Sequence, residues 1–471
     1  MRFFTLLALL TLVCALLSSG DATRPAKPQL LVVRGIKAKG FQAPSEDKNA
    51  SAYVSMTRAS RQWSTSHINA YHKRDFDSGI APTYAIQQAQ SWYVNLTIAG
   101  KEYPLLLDTG SSDTWIASEG FQCLDLHSAA PIAEADCAFG PLYSPDKEFK
   151  PIANENFNIT YGGGEFLTGT FGNAQVTLGG ISVIQQIAAV TGAGWDGDKI
   201  SSGMMGFAYP SLTFAFNGTE PQNDVPANQI PYNPLFTTLY KSGKISPVFS
   251  LAISRPFTNS GSCMSGKSYK ARPADGYLAL GGLPPVATTG HWATSPIQYV
   301  ALGPGYVDGS LPYPQYQFYT ITPDSLLYKD SHKTKYRANQ WSPLPNPANS
   351  SQVQVMLDSG TTLNYLPTEM SYALAALYEP PAVWNDKLGA FSVDCNAKSP
   401  DFAVKISGVD FPVDKRDMIL DDNTGNGTCI AGNSDGMNYP PYILGDVFMK
   451  NALVVFDVGA GELRFRSRGT Y

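Results

Sequence analysis

One pattern occurs twice in the chain, 250 residues apart, and it constrains the fold more than any other feature. The first copy reads Leu105-Leu106-Leu107-Asp108-Thr109-Gly110-Ser111-Ser112. The second reads Val355-Met356-Leu357-Asp358-Ser359-Gly360-Thr361-Thr362. In each, an apolar strand runs into an Asp, a small hydroxyl residue, a Gly and two more hydroxyl residues. A second pair of landmarks follows. Met204-Met205-Gly206 ends 98 residues after Asp108, and Ile443-Leu444-Gly445 ends 87 residues after Asp358. Two landmarks repeated in the same order imply two duplicated lobes related by approximate two-fold symmetry.

The rest of the body reads as β structure. Runs rich in Val, Ile, Leu and aromatics, bounded by Gly, Pro or Asn, recur at 92–98, 103–107, 175–178, 277–280, 353–357 and 453–457. Helical periodicity is scarce, with short candidates at 234–241 and 369–378. Ser/Asn/Pro-rich stretches at 217–233, 258–274 and 343–351 read as surface insertions. Composition agrees. The chain has 42 Gly and 34 Pro in 471 residues, 12% aromatics, and 15% charged residues, well under the roughly 25% of an average globular domain. Such a chain is not a coiled coil, a helical repeat array or an acidic disordered segment. It is also longer than one domain of roughly 100–200 residues.

The N-terminal region reads as two processing segments. Arg2 precedes an apolar run over 3–17 and then Ser18, Ser19 and Gly20, the pattern of a secretory signal peptide over residues 1–22. The run is shorter than the about 20 residues a membrane span needs. With no later apolar stretch and no hydrophobic tail over 464–471, no membrane anchor is expected. Residues 23–74 carry ten Lys/Arg against two acids and end in the dibasic pair Lys73-Arg74. Residues 75–471 carry 23 Lys/Arg against 36 acids. A basic leader on an acidic body suggests a pro-segment held partly by electrostatics and loosened by acid. The expected lobes are 75–252 and 253–471. The overall net charge of −5 argues against a nucleic-acid partner, which selects a basic surface.

Cysteine usage fits an oxidising compartment. Cys14 leaves with the signal, so five remain, an odd number. Local closure favours Cys123–Cys137 and Cys395–Cys429 and leaves Cys263 without a role, though sequence alone does not fix connectivity. No Cys/His cluster suggests a metal, and no cofactor is expected. Glycosylation motifs stand at Asn95, Asn158, Asn217, Asn349 and Asn426 of the body, with Asn49 in the pro-segment. The protein is expected to be secreted and extracellular, and delivery to a vacuole fits equally.

The repeated turn has a chemical use. A strand delivers each Asp from the interior to a tight turn. Gly permits close backbone approach, and the hydroxyl residues can hydrogen-bond the carboxylate. If the two turns meet at a two-fold axis, Asp108 and Asp358 stand side by side and cannot comfortably both ionise. The pair then shares a proton over an acidic range, which supplies a general base and a general acid one water apart. Asp77-Ser78-Gly79 also fits the three-letter core. No apolar strand leads into it, so it reads as a flexible segment after the dibasic pair.

On these motifs the chain resembles the pepsin-like aspartic endopeptidases, especially their secreted fungal members, from about Trp92 to Phe465. The resemblance implies an all-β, bilobal fold with pseudo-two-fold symmetry and a cleft between the lobes. Asp108 and Asp358 would lie at the floor of that cleft. It implies that Thr109 and Ser359 interlock the lobes, that Gly110 and Gly360 shape the turns, and that Ser111 and Thr361 bond the outer carboxylate oxygens. The stretch Asn158-Ile159-Thr160-Tyr161-Gly162-Gly163-Gly164 resembles the family's flap, a hairpin closing over substrate. Tyr161 matches its tyrosine and Trp115 the tryptophan bonded to it. A disulfide after the first turn and another late in the second lobe are usual in the family. Gly163 and Glu165 depart from the usual flap tip, and the spacing of 250 residues between the aspartates is long for the family.

The expected activity is hydrolysis of peptide bonds in proteins at acidic pH by a two-aspartate activated water. The enzyme would be made as a zymogen inhibited by its own pro-segment and would act as a monomer. One alternative is a catalytically silent binding protein on the same scaffold, although both turns and the flap tyrosine are kept. The other is a carbohydrate-active enzyme using two carboxylates, which symmetric turns suit poorly because its acid and nucleophile need unlike environments.

Overall fold

The computed structural model describes residues 79–86, 90–255, 276–299, 316–329, 340–345, 353–422, 428–437 and 439–469. The signal peptide, the pro-segment with Lys73-Arg74, Cys263, Asn349 and Asn426 lie outside the described residues.

The fold is bilobal and all-β, with helices confined to short pieces. One fourteen-stranded sheet runs through both halves. Its first-half portion holds Ser91–Ile98, Lys101–Asp108, Gly203–Gly206, Thr114–Cys123, Ile181–Gly194, Phe166–Leu178, Lys150–Thr160 and Ala215–Asn217, in that spatial order. Ile80–Ile86 joins this portion to Gly276–Leu280, Val248–Ile253, Ala452–Asp457, Glu462–Ser467 and Thr289–Pro296. The expected lobe boundary at 252/253 falls inside the strand Val248–Ile253. Three smaller sheets complete the second half.

The duplicated landmarks correspond to duplicated pairing. Lys101–Asp108 runs parallel to Gly203–Gly206, with Leu107 opposite Met205 and Asp108 opposite Gly206. Val355–Leu357 runs parallel to Tyr442–Leu444, with Leu357 opposite Leu444. In each half a further strand then pairs antiparallel to the landmark strand: Trp115 lies opposite Met204, and Tyr365 opposite Ile443. The apolar letters therefore serve a central strand in both lobes. Leu105, Leu107, Val355 and Leu357 are buried, while Leu106 and Met356 between them are only half-buried, as the two-residue period of a strand requires.

Aromatic packing beneath the turns joins the halves. The rings of Phe249 and Phe456 stack at 4.4 Å. Tyr319 packs edge-on against both and donates its hydroxyl to the carbonyl of Phe207 at 2.7 Å. The helices Leu235–Lys241 and Thr368–Ala375 each follow a proline, Pro234 and Pro367. The second helix ends short of the expected residue 378, at Ala375. Past that point the turns tighten: the N–H of Leu377 bonds the carbonyl of Leu374, that of Tyr378 bonds the carbonyl of Ala375, and Ala382 donates to the same Ala375 carbonyl.

Candidate active site

The two Asp turns meet and lock into each other. Thr109 Oγ1 donates to the carbonyl of Leu357 at 2.8 Å and accepts the N–H of Ser359 at 3.0 Å. Ser359 Oγ reciprocates, donating to the carbonyl of Leu107 at 2.8 Å and accepting the N–H of Thr109 at 3.2 Å. All four groups are buried, so each bond is made where water cannot replace it. A β-branched Thr faces a Ser, and both hydroxyls do the same work because each is at once donor and acceptor.

The carboxylates are held in matching cradles. The N–H of Gly110 donates to Asp108 Oδ1 at 2.7 Å, and that of Gly360 to Asp358 Oδ1 at 2.9 Å. Ser111 Oγ donates to Asp108 Oδ2, and Thr361 Oγ1 to Asp358 Oδ2 at 2.6 Å. Asp108 and Asp358 are 5% and 6% exposed, enough for one face of the pair to be reached and too little to solvate two charges. Burial, and then the neighbouring Asp358 carboxylate, push Asp108 well above the usual carboxylate range. The bonds from Ser111 and Gly110 oppose the shift. Such a pair retains a proton at pH values where isolated carboxyls have lost theirs.

The strands Lys150–Thr160 and Phe166–Leu178 form a hairpin whose tip brings Tyr161 beside Ser111 and into the field of Asp108. Its tip closes with the N–H of Tyr161 bonded to the carbonyl of Glu165 at 2.8 Å, and that of Gly164 to the carbonyl of Tyr161 at 3.0 Å. Gly164 sits at φ +100, where a side chain would be strained. Trp115 Nε1 donates to the Tyr161 hydroxyl at 2.7 Å. Gly162 and Gly163 lie in the same tip without regular pairing.

Sequence reasoning missed three residues here. Trp195 packs edge-on against Tyr161 at 5.9 Å and against Trp115 at 5.0 Å. An aromatic just beyond the glycine-interrupted end of the strand Ile181–Gly194 was the available signal. Asp113, fully buried, accepts the N–H of Phe214 at 3.1 Å and the Tyr232 hydroxyl at 2.7 Å. Burial raises its pKa to about 7, against those two bonds. It stands five residues after Asp108, but only the fold reveals that no water reaches it. Asp446, also fully buried, has neither carboxylate oxygen hydrogen-bonded among the described residues. Burial raises it well above the usual range, Lys450 pulls the other way, and Asp358 and Asp108 add to the rise.

The remaining expected residues fall away from the pair. Cys123 is joined to Cys137 and Cys395 to Cys429. Asn95 is half-buried in mid-strand, Asn158 is half-buried on the flap strand, and Asn217 is exposed. No cluster of three or more His, Cys, Asp or Glu suited to a metal occurs among the described residues. No helix among them is long and apolar enough to cross a membrane.

Comparison with known proteins is consistent with this geometry. The family model for eukaryotic aspartyl proteases matches residues 92–467. A probable aspartic-type endopeptidase of Aspergillus fumigatus is 36% identical over 91% of this chain and 90% of its own. An acid protease of Saccharomycopsis fibuligera is 25% identical over 82% and 83%. Among solved structures, the aspartic proteinase of Irpex lacteus shares the fold. Its TM-score is 0.58 at 19% identity, covering 83% of this chain and 97% of that one.

Proposed function

The chain belongs to the eukaryotic aspartyl proteases and is an aspartic-type endopeptidase; from that premise we propose that Asp108 and Asp358 are its catalytic pair, hydrolysing peptide bonds in proteins at acidic pH. The observation that carries the proposal is the reciprocal lock between Thr109 and Ser359, which holds two cradled carboxyls against each other.

In this reading the pair shares one proton. The ionised partner takes a proton from a water lying between the carboxyls as that water attacks the scissile carbonyl. The protonated partner donates to the carbonyl oxygen, giving a tetrahedral gem-diol. Collapse moves a proton to the leaving amine and restores the pair with no covalent enzyme intermediate. Tyr161 and Trp115 place the flap over an extended substrate whose backbone lies along the cleft, and apolar residues flank the cut bond. Closure by a flap excludes water and orients the peptide.

The enzyme is further proposed to be made with a signal peptide over 1–22 and an inhibitory pro-segment over 23–74, followed by lobes over 75–252 and 253–471. It would be released as a soluble glycoprotein and act as a monomer. The charge contrast between the basic leader and the acidic body supports an acid-loosened pro-segment, since protonating carboxylates removes one side of that attraction.

The deciding experiment is digestion of a denatured protein from about pH 3 to 7 with purified mature enzyme, read by mass spectrometry. Asp358→Asn and a pepstatin-type inhibitor serve as controls. Acid-dependent cleavage lost in both controls is expected. No cleavage at any pH by folded enzyme freed of residues 23–74 would overturn the reading.

A further inference from the structure

We propose that Asn217 carries an N-linked glycan, and that Asn158, although it stands in the same acceptor motif, stays bare because its amide already fastens the flap strand. The proposal rests on the reading that the chain enters the secretory pathway.

Both motifs lie in one structural unit. The strand Ala215–Asn217 pairs antiparallel with the flap strand Lys150–Thr160, with Asn217 opposite Glu155. The chain then passes through the turns Pro221–Asn223 and Pro226–Asn228. Within this unit the two amides are used in opposite ways. Asn158 Nδ2 donates to the carbonyl of Pro221 at 3.0 Å and to Asp224 Oδ2 at 3.0 Å, so both of its hydrogens are committed. The other oxygen of Asp224 accepts Asn156 Nδ2 at 3.1 Å, and Asn156 is 3% exposed. Asp224 thus clasps two asparagines two apart on the flap strand, which by strand periodicity share one face.

Asn217 engages through its oxygens instead. Its Oδ1 accepts Asn154 Nδ2 at 2.8 Å, and its main-chain carbonyl accepts Asn228 Nδ2 at 3.0 Å. Its own Nδ2 makes no hydrogen bond among the described residues, and the residue is exposed. Gly218, at φ +129, turns the chain just after it and carries Thr219 onward.

Glycan transfer acts on Nδ2. The amide nitrogen forms a bond to C1 of the first sugar and loses one hydrogen as a proton. The sugar's bond to the oxygen of its polyprenyl diphosphate carrier breaks, and the diphosphate leaves. At Asn217 this costs no hydrogen bond, and the bond from Asn154 to Oδ1 survives. At Asn158 one hydrogen remains where two are needed, and the sugar must occupy space now filled by Pro221 or Asp224. The segment 221–224 would have to lift from the flap strand, taking Asp224 from both asparagines and leaving the buried Asn156 amide with the carbonyl of Gly218 at 3.1 Å as its remaining acceptor. Chains so modified would be depleted from the folded product.

The test uses the full chain with residues 1–22 replaced by a proven yeast secretion leader, so that entry into the pathway does not depend on its own signal. The secreted, active protein is treated with a glycan-releasing amidase in heavy-oxygen water, and the peptides containing positions 158 and 217 are read by mass spectrometry. Labelled Asp at 217 in most molecules and unlabelled Asn at 158 are expected. Asn217→Gln and Thr219→Ala should each lower the intact mass by one glycan. Thr160→Ala, which abolishes the other motif without touching its amide, should leave glycan mass unchanged. An unlabelled position 217, or a labelled position 158 in active protein, would overturn the proposal. In a parallel expression that keeps residues 1–22, failure of export would count against the secretion reading alone.

Discussion

Gly110 stands directly against the carboxyl group of Asp358: a methyl on its Cα would lie 2.6 Å from the Asp358 carboxyl carbon. The relationship is reciprocal, since a methyl on Gly360 would lie 2.5 Å from Asp108 Oδ1. Each turn therefore uses its glycine to admit the acid of the other lobe. Neither glycine needs a left-handed backbone here; what it supplies is space.

The first prediction concerns that space. Gly110→Ala or Gly360→Ala must push the opposing carboxyl aside or part the turns. Turnover is expected to fall by about 100-fold or more, because displacing a reacting group by even about 1 Å costs that much. Steady-state kinetics on a quenched peptide, with circular dichroism to show a folded chain, checks it. Near-normal turnover would mean that the carboxyls can separate without harm.

Removing one acid should be more severe. Asp108→Asn and Asp358→Asn each keep the shape of the cradle and abolish the shared proton. A loss of roughly 10²- to 10⁴-fold in kcat is expected, the usual range for general acid–base groups, with KM changed little. A matching rise in KM would point to a substrate-binding role instead.

The flap bond lends itself to a double-mutant cycle. Tyr161→Phe and Trp115→Phe each remove the 2.7 Å hydrogen bond. A neutral bond is worth about 0.5–1.5 kcal/mol, or roughly 3- to 10-fold in kcat/KM. The double variant should be no worse than the sum of the singles and should recover part of the coupling. Strict additivity would show that the bond does not act in the catalytic cycle.

Much of this site was legible in sequence because its chemistry is local. The Asp turns, their hydroxyl partners and the landmark strands are short contiguous words, and duplication made each copy a check on the other. Tyr161 and Trp115 were legible through resemblance rather than physics, since 46 residues separate them. What stayed hidden depends on burial. Asp113 and Asp446 look in sequence like any other aspartate. Only the bonds from the Phe214 N–H and the Tyr232 hydroxyl to Asp113, and the Asp446 oxygens that accept no hydrogen bond among the described residues, set them apart. The clasp of Asp224 on Asn156 and Asn158 was hidden for a related reason. It joins a strand to an insertion whose path no local pattern dictates.

The disulfides should differ modestly in value. They close spans of 14 and 34 residues, and chain-entropy reasoning gives roughly 3 and roughly 4 kcal/mol. Replacing both cysteines of a pair by serine should lower the denaturation midpoint in each case, more for Cys395 and Cys429. Equal and negligible shifts in urea titrations would contradict the estimate.

Buried carboxyls also set the pH dependence of stability. Asp108, Asp113 and Asp446 all have raised pKa values in the folded chain, chiefly through burial. Above about pH 4 an unfolded carboxyl has lost its proton, while these groups keep theirs. The folded state then binds more protons than the unfolded one, so stability falls as pH rises. For Asp113 the loss runs from about 4 up to about 7, its folded value. Asp113→Asn removes this titration, and its carboxamide oxygen can still accept from Tyr232 and Phe214. The variant should match the parent near pH 4 and be more stable at pH 7, by on the order of 4 kcal/mol at most from one such group. Thermal melts between pH 3.5 and 7.5 check it: the fall in melting temperature toward neutrality should become shallower in the variant. Parallel curves would mean that Asp113 does not titrate across this range in the folded protein.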